Sequence, residues 1–220
     1  MSTTTFCLRM NIAMWYCGGV ERVTADSMNS DVPLGRSAIN SVDPLVTSGQ
    51  VTGYVVQGGV IMKSNFVISV NGVKREIEAS SDTPLLLVLR NELQLSGPRF
   101  GCGLEQCGSC LVLRGSEPVY SCRLAMGDVG NADITTVEGL GTVDSPHPVQ
   151  QAFFEEQAAQ CGYCSSGMLI AAAALIWRHP HPTDEQIQEA LDGNLCRCGS
   201  HTRIVRAVHR AADLMWGDTQ

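Results

Sequence analysis

Cysteine carries the chemistry that stands out in this chain. Two close pairs, Cys161-Gly-Tyr-Cys164 and Cys196-Arg-Cys198, lie at the ends of an intervening helical hairpin between Gln160 and Arg203. Two thiolate pairs brought together make a cage of four soft sulfur donors. Such a cage suits zinc or an iron-sulfur cluster, and the pair spacing alone leaves both open. A second set, Cys102, Cys107, Cys110 and Cys122, stands upstream. Eight of the ten cysteines therefore fall at metal-ligand spacings and only Cys7 and Cys17 stand apart, a usage that reads as reduced thiols and not as a disulfide framework.

The upstream set favours iron over zinc. Cys102, four residues, Cys107, two residues, Cys110, and then Cys122 after eleven more is the ligand spacing of plant-type 2Fe-2S centres. Three thiolates on one loop and a fourth arriving from a strand suit a flat two-iron unit, with two sulfurs on each iron. Gly101, Gly103 and Gly108 interleave those ligands, which lets backbone N–H groups curl toward the sulfurs and tune their potential. Such centres relay single electrons; they neither activate water nor hold a substrate.

Composition excludes several classes. With 220 residues, 44% hydrophobic and 17% charged, the chain can bury a sizeable core as one large or two small domains. A net charge of -7 and only two lysines argue against nucleic acid, whose phosphates demand clustered cations. No run reaches the roughly 18 apolar residues of a membrane helix. Arg9 and the patchy apolar stretch from Met10 to Val20 imitate a signal peptide poorly, with neither a twin arginine nor a clean cleavage site, so a cytoplasmic protein is expected. There is no Gly-x-Gly-x-x-Gly, no phosphate loop and no Ser-His-Asp arrangement.

The elements that position the cysteines divide the chain into three. Residues 1–61 show no sustained period and are expected to form a disordered or loosely packed extension. Residues 62–138 read as a ferredoxin-like β-grasp domain. In it Phe66, Ile68 and Val70 alternate, Asn71-Gly72 makes a hairpin turn, and Val73 to Glu78 returns. Asp82 or Thr83 is expected to cap a helix starting at Pro84, with Leu85, Leu86, Leu89 and Leu93 on its inner face. Strands follow at Cys110–Arg114, Val119–Leu124 and Ile134–Val137, the first two joined by a Gly115–Pro118 turn. After a linker, residues 145–217 read as an all-α four-helix bundle domain. Its first helix is capped by Ser145 with Pro146 inside the first turn and runs to about Ala159; its second, from Ser166 to about Arg178, is almost wholly apolar. Thr183 with Gln186 forms a capping box for the third, and the fourth runs from about Thr202 to Trp216. The architecture is α+β, and closing the bundle brings its two cysteine pairs together.

Three motifs in order now resemble one family. Gly101-Cys-Gly-Leu-Glu-Gln-Cys-Gly-Ser-Cys110, Gln160-Cys-Gly-Tyr-Cys-Ser-Ser-Gly-Met168 and Gly193-Asn-Leu-Cys-Arg-Cys-Gly199 look like the small iron-sulfur subunit of molybdenum hydroxylases, which include xanthine dehydrogenases, aldehyde oxidoreductases and the nicotinate and isoquinoline dehydrogenases. The resemblance spans about Met62 to Trp216. It implies two 2Fe-2S clusters, with Cys161, Cys164, Cys196 and Cys198 holding the one nearer molybdenum and Cys102, Cys107, Cys110 and Cys122 the outer one. It implies that Gln160 and Cys198 touch a molybdopterin, in its cytosine dinucleotide form, on a large partner subunit. It also implies an aldehyde or N-heteroaromatic substrate there and a flavin subunit or cytochrome as electron acceptor. Glu105 stands where the family often has glycine, Ser166 where it often has proline, and His201 where an aromatic is often seen. Two other readings of the cysteines are a stand-alone ferredoxin-like carrier and a zinc-bound structural module.

Overall fold

The computed structural model describes residues 43–47, 50–56 and 59–217, with side chains from residue 63 onward. Cys7, Cys17 and the Met10–Val20 stretch lie outside the described residues. Where the sequence shows no legible period, the backbone forms three short antiparallel strands, β1 (Asp43–Thr47), β2 (Gln50–Val56) and β3 (Gly59–Met62), in that order in one sheet.

The alternation after Met62 produces the hairpin it implies. β4 (Ser64–Val70) pairs antiparallel with β5 (Val73–Ala79), and Phe66 faces Ile77 across the ladder. Asn71 and Gly72 take φ of 52° and 75°, left-handed at both central positions, which matches the twist of the two strands. Asn71 has a second use. Its side chain accepts the Thr136 amide N–H (2.8 Å) and donates to the Thr136 hydroxyl (3.0 Å), tying the turn to the far end of the domain. β6 (Leu111–Arg114), β7 (Glu117–Tyr120) and β8 (Asp133–Thr135) complete a five-stranded sheet in the order β5-β4-β8-β6-β7, where β4 and β8 run parallel. The β6–β7 turn is tighter than the sequence suggests. Arg114 pairs with Glu117, so β7 starts two residues before Val119 and ends at Tyr120, leaving Cys122 on a turn and not in a strand.

The leucine-rich helix also differs from expectation. It opens as α1 (Leu85–Leu87) and continues as one wider π turn over Val88–Glu92. Neither Asp82 nor Thr83 caps it. Its first amides, from Leu85 and Leu86, donate instead to the carbonyls of Leu124 (2.7 Å) and Ser121 (2.9 Å), which flank Cys122. Leu85, Val88 and Leu89 fill the sheet core with Ile68, Val70, Ile77, Val112 and Ile134. Leu86 points elsewhere and packs on Cys110 and Cys122.

Two single-turn helices follow, α2 (Met126–Val129) and α3 (Val137–Leu140), the latter where a strand end and linker were expected. α4 covers Pro148–Glu155. Its N-cap is His147 with Pro148 in the first helical position, two residues beyond the Ser145-Pro146 pair that the sequence also offers, because His147 closes a capping box with Gln150. It ends at Glu155, short of Ala159, where Gln157 turns left-handed at φ 49°. α5 (Ser165–Arg178) is buried from Ser165 through Ile176, as its continuous apolar text demands. α6 (Asp184–Leu191) carries the Thr183/Gln186 capping box, and α7 (His201–Trp216) packs its Ile204, Val208 and Ala211 stripe inward.

Phe153, Met168, Ile176, Ile187, Ile204 and Val208 lie in one buried cluster shared by α4 to α7. A separate cluster joins the halves: Leu111 and Leu113 of β6 pack on Ile170, Ala171 and Ala174 of α5. Among the described residues no helix is long and apolar enough to cross a membrane.

Candidate metal centres

Four cysteines gather where α1, the glycine-rich loop and the β7 turn meet. Backbone N–H groups aim at their sulfurs: Leu104 and Gln106 donate to Cys102 Sγ at 3.3 and 3.2 Å, and Cys102 donates to Cys107 Sγ at 3.3 Å. A Cβ at Gly101 would stand 2.5 Å from Cys107 Sγ, so only glycine leaves the thiol its place. Cys110 and Cys122 are buried beneath Leu86, and the Ser121 hydroxyl donates to the Cys110 carbonyl at 2.6 Å, pinning the turn that brings Cys122 in. Burial pushes the Cys110 thiol up to about 12, with the neighbouring Cys122 and Cys107 adding to it. At the open rim burial also opposes ionisation of Cys102, but the Leu104 and Gln106 amides outweigh it and hold the thiol at about 7.

The second set forms where two helical hairpins end together. Cys161 and Cys164 sit in the α4–α5 turn, with Cys164 at the α5 N-terminus; Cys196 and Cys198 sit in the α6–α7 connection. The contacts cross between hairpins. Cys161 lies beside Cys198, and Cys164 beside Cys196. Burial raises Cys164 to about 12, whereas in Cys196 it is outweighed by the Ser200 hydroxyl and the Cys198 and Ser200 amides, which bring that thiol to about 7. Cys164 is buried, Cys196 and Cys198 are half-buried, and Cys161 is exposed.

These donors fit two-iron clusters. Four thiols with amides aimed at them match a wider group that takes two sulfurs on each of two metals and hydrogen bonds to its sulfurs. A buried donor points the same way: Asn194 Nδ2 has no hydrogen-bond partner and lies against Gly108, between Cys107 and Cys110.

The two sets are stitched together. The Leu195 amide, next to Cys196, donates to the carbonyl of Cys107 at 3.1 Å. A Cβ on Gly167 of α5 would fall 1.9 Å from the Gly108 carbonyl oxygen, so helix and loop are in direct contact. Arg99 reaches across to the Gly162 carbonyl at 2.7 Å, and the Tyr163 hydroxyl donates to the Phe100 carbonyl. Gln160 is exposed beside Cys161 and lines a cleft of about 960 Å³ with Arg99, Phe154, Ser166 and Arg203. Arg203 contacts the Gln157 carbonyl at 3.4 Å on that cleft, and Arg197 is exposed. Sequence reasoning missed Arg99 and Asn194. Asn194 lies inside the Gly193–Gly199 motif, but nothing in the sequence pairs Arg99 with a carbonyl 63 positions away.

A mixed sheet and a helical unit, each presenting four cysteines, define a protein of two 2Fe-2S domains. Residues 68–132 match the 2Fe-2S iron-sulfur cluster binding domain and residues 136–209 the [2Fe-2S] binding domain. The chain is 53% identical over 152 residues to a nicotinate dehydrogenase subunit of Pseudomonas putida, covering 69% of this chain and 97% of that one. It is 50% identical over 138 residues to the alpha subunit of isoquinoline 1-oxidoreductase from Brevundimonas diminuta, covering 63% and 90%. The solved aldehyde oxidoreductase of Desulfovibrio desulfuricans superposes with a TM-score of 0.68 at 36% identity, over 71% of this chain and 18% of that much longer one. The chain belongs to the small iron-sulfur subunits of the molybdenum hydroxylases. Its function is electron transfer within an oxidoreductase.

Proposed function

We propose that Cys161, Cys164, Cys196 and Cys198 hold the inner 2Fe-2S cluster, Cys102, Cys107, Cys110 and Cys122 the outer one, and that the chain serves a cytoplasmic hydroxylase whose molybdopterin lies on a large partner subunit. Each cluster supplies one-electron transfer when bound. The chain's own residues support that order. Gln160, which is exposed, and Cys198, which is half-buried, are the contacts for the pterin, in its cytosine dinucleotide form; the Leu195 N–H to Cys107 C=O bond joins the inner loop to the outer one. That bond carries the reading, because it makes the two loops neighbours in a series. A flavin subunit or cytochrome then takes electrons from the Cys102 rim. The close relatives named for nicotinate and isoquinoline support an N-heteroaromatic substrate, and the superposition on an aldehyde oxidoreductase keeps aldehydes in the same class.

The domain division follows the same reading: a loosely attached extension over 1–61, a ferredoxin-like β-grasp unit over 62–138, and over 145–217 a four-helix bundle whose closure assembles the inner cage. The test is the assembled complex carrying Cys107→Ser or Cys198→Ser, followed by rapid mixing with substrate. A hydroxyl is a poorer iron ligand than a thiolate. Cys107→Ser should leave inner-cluster reduction intact while steady turnover collapses; Cys198→Ser should slow reduction of both clusters. The unmodified complex should hold about four iron per chain. Reversal of the two phenotypes, or stoichiometric zinc, overturns the assignment.

A further inference from the structure

The segment before the glycine-rich loop is held unusually firmly. Arg90 Nη1 donates to the carbonyls of Pro98 (2.8 Å) and Ser96 (3.3 Å), and the Gly97 amide donates to the Glu138 carboxylate at 2.6 Å. A Cβ at Gly97 would stand 2.4 Å from both Val137 and Glu138 side chains, so the strip lies flat on α3. From this strip Arg99 is aimed in two directions. Its backbone amide donates to Ser109 inside the outer cysteine loop at 2.9 Å. Its guanidinium crosses to the other half of the molecule, donating to the Gly162 carbonyl at 2.7 Å and lying 5.3 Å from the centre of the Tyr163 ring.

Gly162 and Tyr163 are the two residues between Cys161 and Cys164. Among the described residues no carboxylate forms an ion pair with Arg99, so its partners there are a carbonyl dipole and a ring face, neither of which cancels its charge. Guanidinium stays protonated at any working pH.

We infer that Arg99 is a positioning residue for the inner cluster: it fixes the Cys161–Cys164 turn from the opposite half of the molecule and places there a permanent positive charge that raises the cluster's reduction potential. The inference rests on the reading that Cys161, Cys164, Cys196 and Cys198 hold that cluster. The physics has one sign. Reduction adds one negative charge, and a fixed, half-buried cation bonded to the carbonyl of the residue next to Cys161 favours the reduced form. An inner cluster raised in this way takes an electron from its donor more readily, and the charge costs nothing in reorganisation because Arg90 and Glu138 hold its base in place.

The experiment is a redox titration of the assembled complex, following each cluster's paramagnetic signal. Arg99→Gln should lower the inner midpoint by about tenfold in the equilibrium constant, about 59 mV for one electron, and shift the outer midpoint less. Arg99→Lys should recover most of that loss, since it keeps the charge. Tyr163→Phe, which removes only the hydroxyl bond to Phe100, should leave the midpoint unchanged. Should Arg99→Gln load less iron, Arg99→Met, which keeps the apolar stem against Tyr163, is read in its place with the same expectation. An unchanged inner midpoint in the neutral variants, or equal shifts for lysine and glutamine, overturns the inference. Failure of the underlying reading looks different: the unmodified complex would lack a second two-iron signal altogether.

Discussion

Glu105 shows how much a single backbone angle can say. It sits in the outer cysteine loop at φ 60°, a left-handed position that favours glycine, which is the residue the family resemblance leads one to expect there. His147 shows a side chain with a condition attached. Its Nδ1 accepts the Val149 amide at 3.2 Å, so the α4 cap exists only while that nitrogen is unprotonated. Burial against Trp177, whose ring stands edge-on at 6.0 Å, holds the imidazole below its ordinary value. The unfolded chain therefore binds the proton first, near its usual pKa of about 6.5. Stability from this group is complete above that pH and is lost as pH falls through the lower folded value. Thermal unfolding between about pH 7.5 and 5.5 should show an acid-side loss of about 1 kcal/mol, the worth of a cap. His147→Asn, which keeps an acceptor but does not titrate, should flatten that slope. Equal slopes in the two proteins would remove His147 as the cause.

At the scale of elements, what was legible depended on how local the cause was. Thr183 and Gln186 lie three residues apart and cap α6 as their spacing requires, and the Asn71-Gly72 turn needed only its own two angles. The cysteine spacings were readable for the same reason. α4 was displaced because Ser145-Pro146 and His147-Pro148 offer the same local signal, and the Gln150 bond that selects His147 is a matter of geometry. The cap of α1 was missed because its amides are satisfied by the Cys122 turn, more than thirty residues on. Gly167 belongs to this class. Glycine inside a helix ordinarily costs about 1 kcal/mol against alanine, so Gly167→Ala in the first turn of α5 would stabilise an isolated helix. Here the new Cβ would meet the Gly108 carbonyl oxygen at 1.9 Å and Asn194 Nδ2 at 3.1 Å. Overpacking against backbone should win, and the variant should be less stable by roughly 1–3 kcal/mol, with weaker magnetic coupling between the two clusters as helix and loop separate. A rise in melting temperature would show that the contact is soft.

Across the whole molecule the question is whether the sheet half and the helical half fold as one body. The connection between α3 and α4 is short and exposed, which alone would suit two independent units. The buried contacts say otherwise. Leu111, Leu113, Ile170 and Ala174 are each nearly or fully inaccessible, and all lie at the join between β6 and α5. α5 also forms the centre of the helical core through Met168 and Ile176, so the same helix serves both halves. Each half further supplies a hydrogen bond to the other's cysteine loop, from Leu195 to Cys107 and from Arg99 to Gly162. Calorimetry of the loaded chain should therefore show one cooperative transition for residues 63–217. Ile170→Ala opens a cavity at the join and should cost roughly 2–5 kcal/mol. If the halves share one core, that single transition moves down as a unit. If they are independent, the trace splits, with the helical half melting early and the sheet half holding its native temperature, and the stitched arrangement of the two cysteine loops would then be a contact without structural weight.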